Sequence, residues 1–345
     1  MTQKVLIELG WRPFFDEQIS DSDREATVPV RVMAVHRGKI AVSGAGLDLL
    51  ISPHISADGG AEGHPTVGDW ILVDRGSHEP RRILDRENLF KRPAPGTDRK
   101  HQLIAANVDT LFLVASCNED FSVARLERYL VLAREVDVRT VVVLTKIDLT
   151  DTPERFAQAA RALQPDLLVE MVNGRDPASV SKLAAWCGRG QTVALMGSSG
   201  VGKSTLVNTL RGSDSIATQA IRKADGTGRH TTTVREMHRL EQGGWLLDTP
   251  GMRALQLSDT ASGIAEVFDD FLAAAEQCRF SDCAHHKEPG CAVQAGIAAG
   301  TLTAARFDRW RNLAAEDRVN SASLAERRAL ARIAPKAVPF RRGRR

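Results

Sequence analysis

The sequence lacks any apolar run of the ~20 residues that a membrane-spanning helix needs. Its first residues also lack a basic stretch followed by a long apolar run, so we expect no secretion signal. Cysteine is scarce. There are five, and three of them lie close together near a histidine, which indicates a metal site in a reducing compartment rather than a disulfide framework. We therefore expect a cytoplasmic protein without a membrane partner. We also expect it to be a monomer.

The chain as a whole also lacks a large excess of positive or negative charge. The net charge of its 345 residues is only +3. The distribution of charge is uneven. Residues 306–345 contain twelve lysines and arginines and four acidic residues, a net charge of +8. Such clustering favours a phosphate-rich partner, and a solvated tail is the alternative. Hydrophobic residues make up 43% of the chain, which is enough for folded cores.

The N-terminal region has the pattern of a small β-barrel. Residues 1–27 are polar, and we expect them to be mobile. From residue 28 to residue 85, short β-like runs alternate with glycine, proline and serine, which favours an OB-type barrel. Residues 86–102 are charged, contain Pro93-Ala94-Pro95-Gly96, and are predicted to be a linker. The β-like runs are Val28–Val35, Lys39–Val42, Leu47–Ile51, Asp69–Val73 and Arg82–Leu84.

Residues 103–258 predict a separate α/β domain. Apolar runs of strand length alternate there with segments of helical spacing, which implies a mostly parallel sheet with helices on both faces. Ligands of such sheets bind at the carboxyl ends of the strands. The predicted strands are Val108–Ala115, Thr140–Leu144, Leu167–Val172 and Gln191–Met196, followed by the paired strands Val234–Leu240 and Trp245–Asp248.

The segment GSSGVGKS fits the P-loop pattern, with a predicted strand before it and a helix after it. Its glycines let backbone N–H groups turn toward phosphates at a helix N-terminus, where the helix dipole favours anions. Lys203 would supply a cation to the β- and γ-phosphates, and Ser204 a hydroxyl to Mg²⁺. The complete spacing disfavours the alternative, a plain glycine-rich turn. The predicted phosphate-binding residues are Gly197, Ser198, Ser199, Gly200, Val201, Gly202, Lys203, Ser204 and Thr205.

The segment Thr145-Lys146-Ile147-Asp148 ends a predicted strand and has the residue types that bind guanine. The Asp148 carboxylate can accept two hydrogen bonds, from N1 and N2 of guanine, while the Lys146 stem packs along the base. Adenine offers no such pair of donors and would leave the carboxylate poorly paired. Asn173, after the next strand, could supply a backbone contact to the base. The TKxD pattern is weak alone, and its position at a strand end strengthens it.

Two further segments are expected near the magnesium ion. Asp248 begins the segment DTPG at a strand end, so its carboxylate can hold Mg²⁺ through water, and the N–H of Gly251 can contact the γ-phosphate. The polar segment Gly228–Thr233, GRHTTT, should place one threonine on Mg²⁺. Its spacing does not decide among the three threonines, and we take Thr232. A plain threonine-rich loop is the alternative.

The C-terminal region has a cluster of metal-ligand residues. Cys278, Cys283, His285 and Cys291 place three thiols and one imidazole within fourteen residues. Four such ligands fit tetrahedral Zn²⁺ without an open position, hence a structural site. His286 is a competing ligand, and buried cysteines that bind no metal are the alternative. Residues 259–345 are predicted to be a small helical zinc-binding domain with a basic tail.

The guanine motif precedes the P-loop, whereas ordinary GTPases have the P-loop first. This permuted order of TKID, GSSGVGKS, GRHTTT and DTPG, followed by the cysteine–histidine spacing, closely resembles the ribosome small-subunit-dependent GTPase A family over nearly the whole chain. The resemblance implies an OB barrel that contacts RNA, a circularly permuted GTPase domain and a zinc-binding domain. It also implies a role in late maturation of the small (30S) ribosomal subunit, with rRNA binding and GTP hydrolysis stimulated by that subunit.

Met252 stands where many GTPases have a glutamine that orients the attacking water. Its side chain cannot do so, and the protein alone should hydrolyse GTP slowly. His230 is the nearest candidate in sequence, and the resemblance points to the same residue. An imidazole can exchange a proton near neutral pH. The alternative is that His230 only shapes its loop.

Two other function classes are weighed against a GTPase. One is a P-loop kinase of small-molecule metabolism, which the pair TKID and DTPG disfavours and a nucleotide-specificity assay would test. The other is a nucleic-acid-binding module with a degenerate nucleotide site. The intact Lys203, Ser204 and Asp248 disfavour it, and measurable hydrolysis would exclude it.

Overall fold

The structure is a computed structural model that describes residues 2–55, 63–93, 101–212, 235–248, 257 and 259–322. The chain forms two compact units. The first contains residues 1–94 and 100–255, and the second contains residues 95–99 and 256–345. No helix within the described ranges is long and apolar enough to cross a lipid bilayer.

Within its described residues, the first unit is built on one eleven-stranded mixed sheet and a separate two-stranded hairpin. The strands in chain order are β1 (Thr27–His36), β2 (Lys39–Gly44), β3 (Leu47–Ile51), β4 (Trp70–Asp74), β5 (Pro80–Ile83), β6 (Leu89–Pro93), β7 (His101–Ala106), β8 (Thr110–Ser116), β9 (Arg139–Thr145), β10 (Leu168–Met171), β11 (Thr192–Met196), β12 (Arg235–Arg239) and β13 (Trp245–Asp248). The large sheet has the order β10-β9-β8-β11-β13-β12-β1-β2-β3, and β4 and β5 extend from β1 off this path.

Three short helices precede β1, namely α1 (Thr2–Glu8), α2 (Pro13–Asp16) and α3 (Asp21–Ala26). The expectation that residues 1–27 are mobile is therefore wrong for the described residues 2–26. Trp11 and Phe15 are buried, and the Trp11 ring packs edge-on against that of the buried Trp70, with centroids 4.7 Å apart. These aromatic side chains hold the segment against β4 because each buries a large apolar area. Most of the residues next to them in the sequence are polar.

The predicted barrel strands appear as an antiparallel sheet with the order β3-β2-β1-β4-β5. Every second residue of β2 is buried, as in a strand with one face on a core. Val30, Val32, Ile40, Val42 and Ile71 pack together there. Among the described residues β3 does not pair with β5, and closure into an OB-type barrel stays a prediction.

The segment predicted as a linker over residues 86–102 is partly ordered β-structure. Its strand β6 pairs antiparallel with β7. Asn88 reinforces the base of this hairpin, because its side chain donates to Val108 O (2.8 Å) and accepts from Val108 N–H (2.9 Å). Phe90 and Ile104 are buried in this region, which the charged composition of the segment concealed. Residues 94–100 lie outside the described part of the chain.

The GTPase part of the sheet has five parallel strands, β10-β9-β8-β11-β13, and β12 runs antiparallel to β13. Every residue of β8 is buried, as expected for a parallel strand that is covered on both faces. The predicted α/β architecture is thus confirmed. The helices that follow its strands are α4 (Val123–Glu135), α5 (Pro153–Arg161), α6 (Pro177–Val180) and α7 (Lys203–Arg211).

The buried Arg31 connects the N-terminal strands to the GTPase part. Its guanidinium donates to Leu9 O (2.5 Å), Asn107 O (3.3 Å) and Thr192 Oγ1 (2.9 Å). Burial lowers the pKa of Arg31 to about 10, so the side chain stays charged at neutral pH. Arg31 lies in the predicted barrel, whereas Thr192 begins β11 of the predicted GTPase domain. Their buried contact shows that the two regions, expected to be separate domains, share one interior.

The second unit is helical within its described residues, as the sequence predicts. The aromatic rings of Phe271 and Trp310 stack with centroids 5.7 Å apart, and Phe307 packs against both. The Asp317 carboxylate accepts hydrogen bonds from the N–H and the hydroxyl of Thr260, both at 2.8 Å. The helices are α8 (Ala261–Val267), α9 (Asp269–Ala275), α10 (Ala292–Ala299) and α11 (Ala304–Ser321).

Candidate nucleotide site and metal centre

The parallel strands bring the predicted nucleotide-binding segments to one edge of the sheet. The guanine motif follows β9, the loop with Asn173 follows β10, the P-loop follows β11, and Asp248 ends β13. Because β9, β8, β11 and β13 are neighbours with the same direction, their carboxyl ends lie side by side. This edge is where a ligand of a doubly wound sheet is expected.

The P-loop runs from Met196 at the end of β11 to Lys203 at the start of α7. A Cβ at Gly197 would lie 2.3 Å from the carbonyl oxygen of Val114, so only glycine fits there without movement of β8. Gly202, at the N-cap of α7, has φ +96°, which glycine adopts without strain. The loop therefore turns directly into a helix N-terminus whose first N–H groups are available to an anion.

The Lys203 side chain folds back over this loop. Its buried ammonium donates to Gly197 O (2.7 Å) and to Ser198 O. The carbonyl groups of the loop thus hold a positive charge beside the N-terminus of α7. Ser204 and Thr205 follow in the first turn of that helix and are half-buried.

Thr145 connects the guanine motif to the P-loop. Its side chain is buried, and Oγ1 lies 2.5 Å from Val201 O and 3.2 Å from Ala115 O. A hydroxyl has one proton to donate, and the shorter contact identifies Val201 O as the acceptor. Thr145, predicted to bind GTP, uses its side chain to connect two loops of the site.

The guanine motif presents its acid to solvent. Lys146 has φ +58° and begins a short 3₁₀ turn, Ile147–Leu149. Asp148 lies on this turn and is exposed. Its carboxylate is therefore accessible to a base at the edge of the sheet.

The loop after β10 is tied to the helix that follows the P-loop. The Asn173 side-chain oxygen accepts from Arg175 N–H (3.0 Å), so this acceptor is used within its own turn. Thr209 of α7 donates to Gly174 O (2.6 Å). Sequence reasoning did not single out Thr209. Its position four residues after Thr205, on the same face of α7, was the available signal.

The segments expected at the magnesium ion are described only in part. Asp248 ends β13, where its backbone pairs with Glu236 of β12. Gly251 and Met252 lie outside the described residues, and so do Thr232 and His230.

The four predicted metal ligands come together in the second unit. The ligand atoms of Cys278, Cys283, His285 and Cys291 all lie within 4.8 Å of one another. The Cys278 sulfur lies 3.5 Å from His285 Nδ1 and 4.0 Å from the Cys291 sulfur. A tetrahedral zinc site places its sulfur and nitrogen ligands about 3.5–3.8 Å apart. The donor set therefore fits a tetrahedral ion, and the exposed His286 is not among its members.

Neighbouring groups orient these ligands. Burial opposes ionisation of Cys278, but backbone N–H groups of Ala292 and Val293 donate to its sulfur, and the pKa of this thiol is lowered. The thiolate is the form that binds metal. Gln294 donates to His285 O (2.7 Å). The ring of Trp310 lies 5.8 Å from that of His285, so the cluster packs on α11. Burial raises the pKa of the Cys283 thiol to about 11, so this thiol would ionise on binding a metal cation.

Comparison with known proteins agrees with these observations. The family model described as RsgA GTPase matches residues 83–258. The chain is 47% identical over 331 residues to a Vibrio parahaemolyticus protein named small ribosomal subunit biogenesis GTPase RsgA 2, a match that covers 96% of this chain and 91% of the relative. The chain belongs to the RsgA GTPase family. A Mesorhizobium japonicum protein named small ribosomal subunit biogenesis GTPase RsgA is 49% identical over 321 residues, which are 92% of this chain and 91% of the relative.

Solved structures support the RsgA GTPase fold. YjeQ from Thermotoga maritima matches with a TM-score of 0.59 at 24% identity, over 83% of this chain and 97% of that one. YloQ, described as a circularly permuted GTPase, matches with a TM-score of 0.57 at 23% identity, over 83% of this chain and 93% of that one. As an RsgA GTPase the chain hydrolyses GTP, which binds with Mg²⁺. Membership of this family excludes both the kinase and the degenerate-site alternatives.

Proposed function

We propose that this RsgA GTPase acts in late maturation of the small (30S) ribosomal subunit, binds its rRNA, and hydrolyses GTP faster when bound to that subunit. The full-length agreement with relatives named for small ribosomal subunit biogenesis carries the proposal. The agreement extends well beyond the segment matched by the family model, into the N-terminal strands and the metal cluster. A role in maturation of the small ribosomal subunit fits a protein that is a monomer in the cytoplasm.

We assign the nucleotide contacts as follows. The N–H groups of the P-loop and the Lys203 ammonium bind the β- and γ-phosphates, because both present positive charge at the N-terminus of α7. Asp148 reads guanine from its exposed turn. Ser204 and Thr232 supply hydroxyls to Mg²⁺, which neutralises charge on the phosphates. Asp248 and Gly251 complete the phosphate end of the site.

His230 is the proposed catalytic residue, because Met252 cannot orient water. His230→Ala should leave GTP binding and subunit binding unchanged and abolish most of the subunit-stimulated rate. Phosphate release, measured with and without purified small subunits, checks this result. Undiminished stimulation in the variant would move the search to a group supplied by the ribosome.

We further propose that the metal cluster holds one Zn²⁺ per chain. Three thiolates and an imidazole are the ligands that zinc prefers in closed structural sites. The ion would crosslink the Cys278–Cys291 segment, which otherwise has little apolar interior, and support the packing of α10 on the rest of the unit.

The barrel strands and the basic residues after Arg306 are proposed to contact rRNA. Deleting residues 1–85 does not test this proposal cleanly, because the deletion would also remove Arg31 and the strand that pairs with β12. Arg37 and Lys39 are better targets, since both are exposed at the β1–β2 turn and can neutralise RNA phosphates.

The double variant Arg37→Ala/Lys39→Ala should bind small subunits about ten-fold more weakly and with a smaller salt dependence, because two phosphate contacts are lost. Co-sedimentation over a salt series measures both effects, and GTP affinity should stay the same. The matched control is Arg155→Ala/Arg161→Ala, which removes two exposed charges from α5. Equal losses in the two variants would count against a barrel contact. Truncation after residue 322 tests the basic tail in the same assay.

A further inference from the structure

The strand β1 belongs to two neighbouring pairings on one edge. Residues Thr27–Arg31 pair with β4, and Ala34 and Val35 pair with β12 of the GTPase part. The opposite edge of β1 pairs with β2 over Val30–His36. The strand β1 therefore pairs both with the predicted RNA-binding strands and with the GTPase part, and its pairing with β2 shifts register between Val32 and Ala34.

One row of residues crosses from this strand to the nucleotide edge. Ala34 pairs with Glu236, and Glu236 pairs with Asp248, the predicted magnesium-site carboxylate. Two strand spacings separate the ends of this row, a distance of about 10 Å. A displacement of β1 relative to β12 would therefore also displace the backbone close to the phosphate end of the site.

Arg235 fixes the start of β12 at this junction. Its backbone pairs with Val35, and its guanidinium donates to Leu103 O of β7 at 2.6 Å. The side chain is half-buried, and burial together with the nearby Arg92 lowers its pKa. Among the described residues this guanidinium contacts the Leu103 carbonyl, so its side chain links the start of β12 to β7.

We propose that Arg235 is a positioning residue for GTP hydrolysis, which transmits the binding of RNA at the barrel strands to Asp248 at the carboxyl end of β13, through the pairing of β1 with β12 and of β12 with β13. The inference rests on the proposed function and deepens it by naming the connection between the two sites. Arg235 acts through β12 and touches neither RNA nor nucleotide. Its removal should therefore change the stimulated rate more than it changes either affinity.

The test compares Arg235→Met with Arg239→Met in the full-length protein. Arg239 lies on the same strand and face, with a side chain that is 61% exposed and 3.7 Å from Glu8, so the chemical change is matched. We expect Arg235→Met to bind a GTP analogue and small subunits within about two-fold of wild type and to lose at least about ten-fold in subunit-stimulated kcat, because small misplacements of catalytic groups are that costly. Arg239→Met should keep the full rate, and Arg235→Lys should recover part of it.

The outcomes separate this inference from the function on which it rests. A wild-type rate that small subunits fail to raise overturns the proposed function and the inference with it. A stimulated wild type with an equally stimulated Arg235→Met overturns the inference alone. So does a loss of rate in Arg235→Met that merely follows a lower midpoint of thermal unfolding or weaker subunit binding, because those results describe a structural role.

Discussion

Asp148→Asn should weaken GTP binding by about 100-fold or more and create binding of xanthosine triphosphate, because a site built to pair with a base discriminates by several orders of magnitude. In the proposed site, the carboxylate accepts hydrogen bonds from N1 and N2 of guanine. The amide of asparagine can donate instead to the C2 carbonyl of xanthine. Asp148 is exposed on a 3₁₀ turn, so the substitution should leave the fold unchanged. Titration with fluorescent GTP, ATP and xanthosine triphosphate measures the change in preference.

Asp151→Asn is the matched control for this prediction. Asp151 is also exposed and lies three residues further along the chain, and we expect no effect on nucleotide preference. If Asp148→Asn prefers GTP over ATP as strongly as the wild type does, the assignment of the guanine-binding acid is wrong.

Cys283→Ser should lose nearly all bound zinc and unfold the helical second unit at a lower temperature than wild type. The reason is that a structural zinc site contributes its binding free energy to folding. The wild-type protein should contain close to one zinc per chain by elemental analysis. Thermal unfolding followed by circular dichroism should show a separate early transition in the variant.

Two controls define the ligand set. Cys117 is a buried cysteine outside the cluster, and burial raises the pKa of its thiol to about 11. The variant Cys117→Ser should therefore keep the bound zinc. His286→Ala should also keep it, because His286 lies outside the group of close ligand atoms. Full zinc retention by Cys283→Ser would remove Cys283 from the ligand set.

The sequence predicted more features of the candidate site than of the N-terminal fold. Motifs such as GSSGVGKS act through local geometry: a glycine at a positive φ, a helix N-terminus and a lysine at fixed spacing. The metal cluster is equally local, since its four ligands lie within fourteen residues. The N-terminal helices were missed because residues far along the chain hold them, such as Trp70, which packs on Trp11 from some sixty residues away in sequence.

The sequence by itself determined the GTPase chemistry, the permuted order of its motifs and the metal ligands, because each depends on residues that are close in the chain or on strands that share one direction. Only the tertiary structure revealed the continuity between the barrel strands and the nucleotide edge. It depends on the pairing of Val35 with Arg235 and on the contact of Arg31 with Thr192, and both join residues more than a hundred positions apart. Contacts at that separation leave no periodic signal in one sequence, because their geometry is set by how the whole sheet packs.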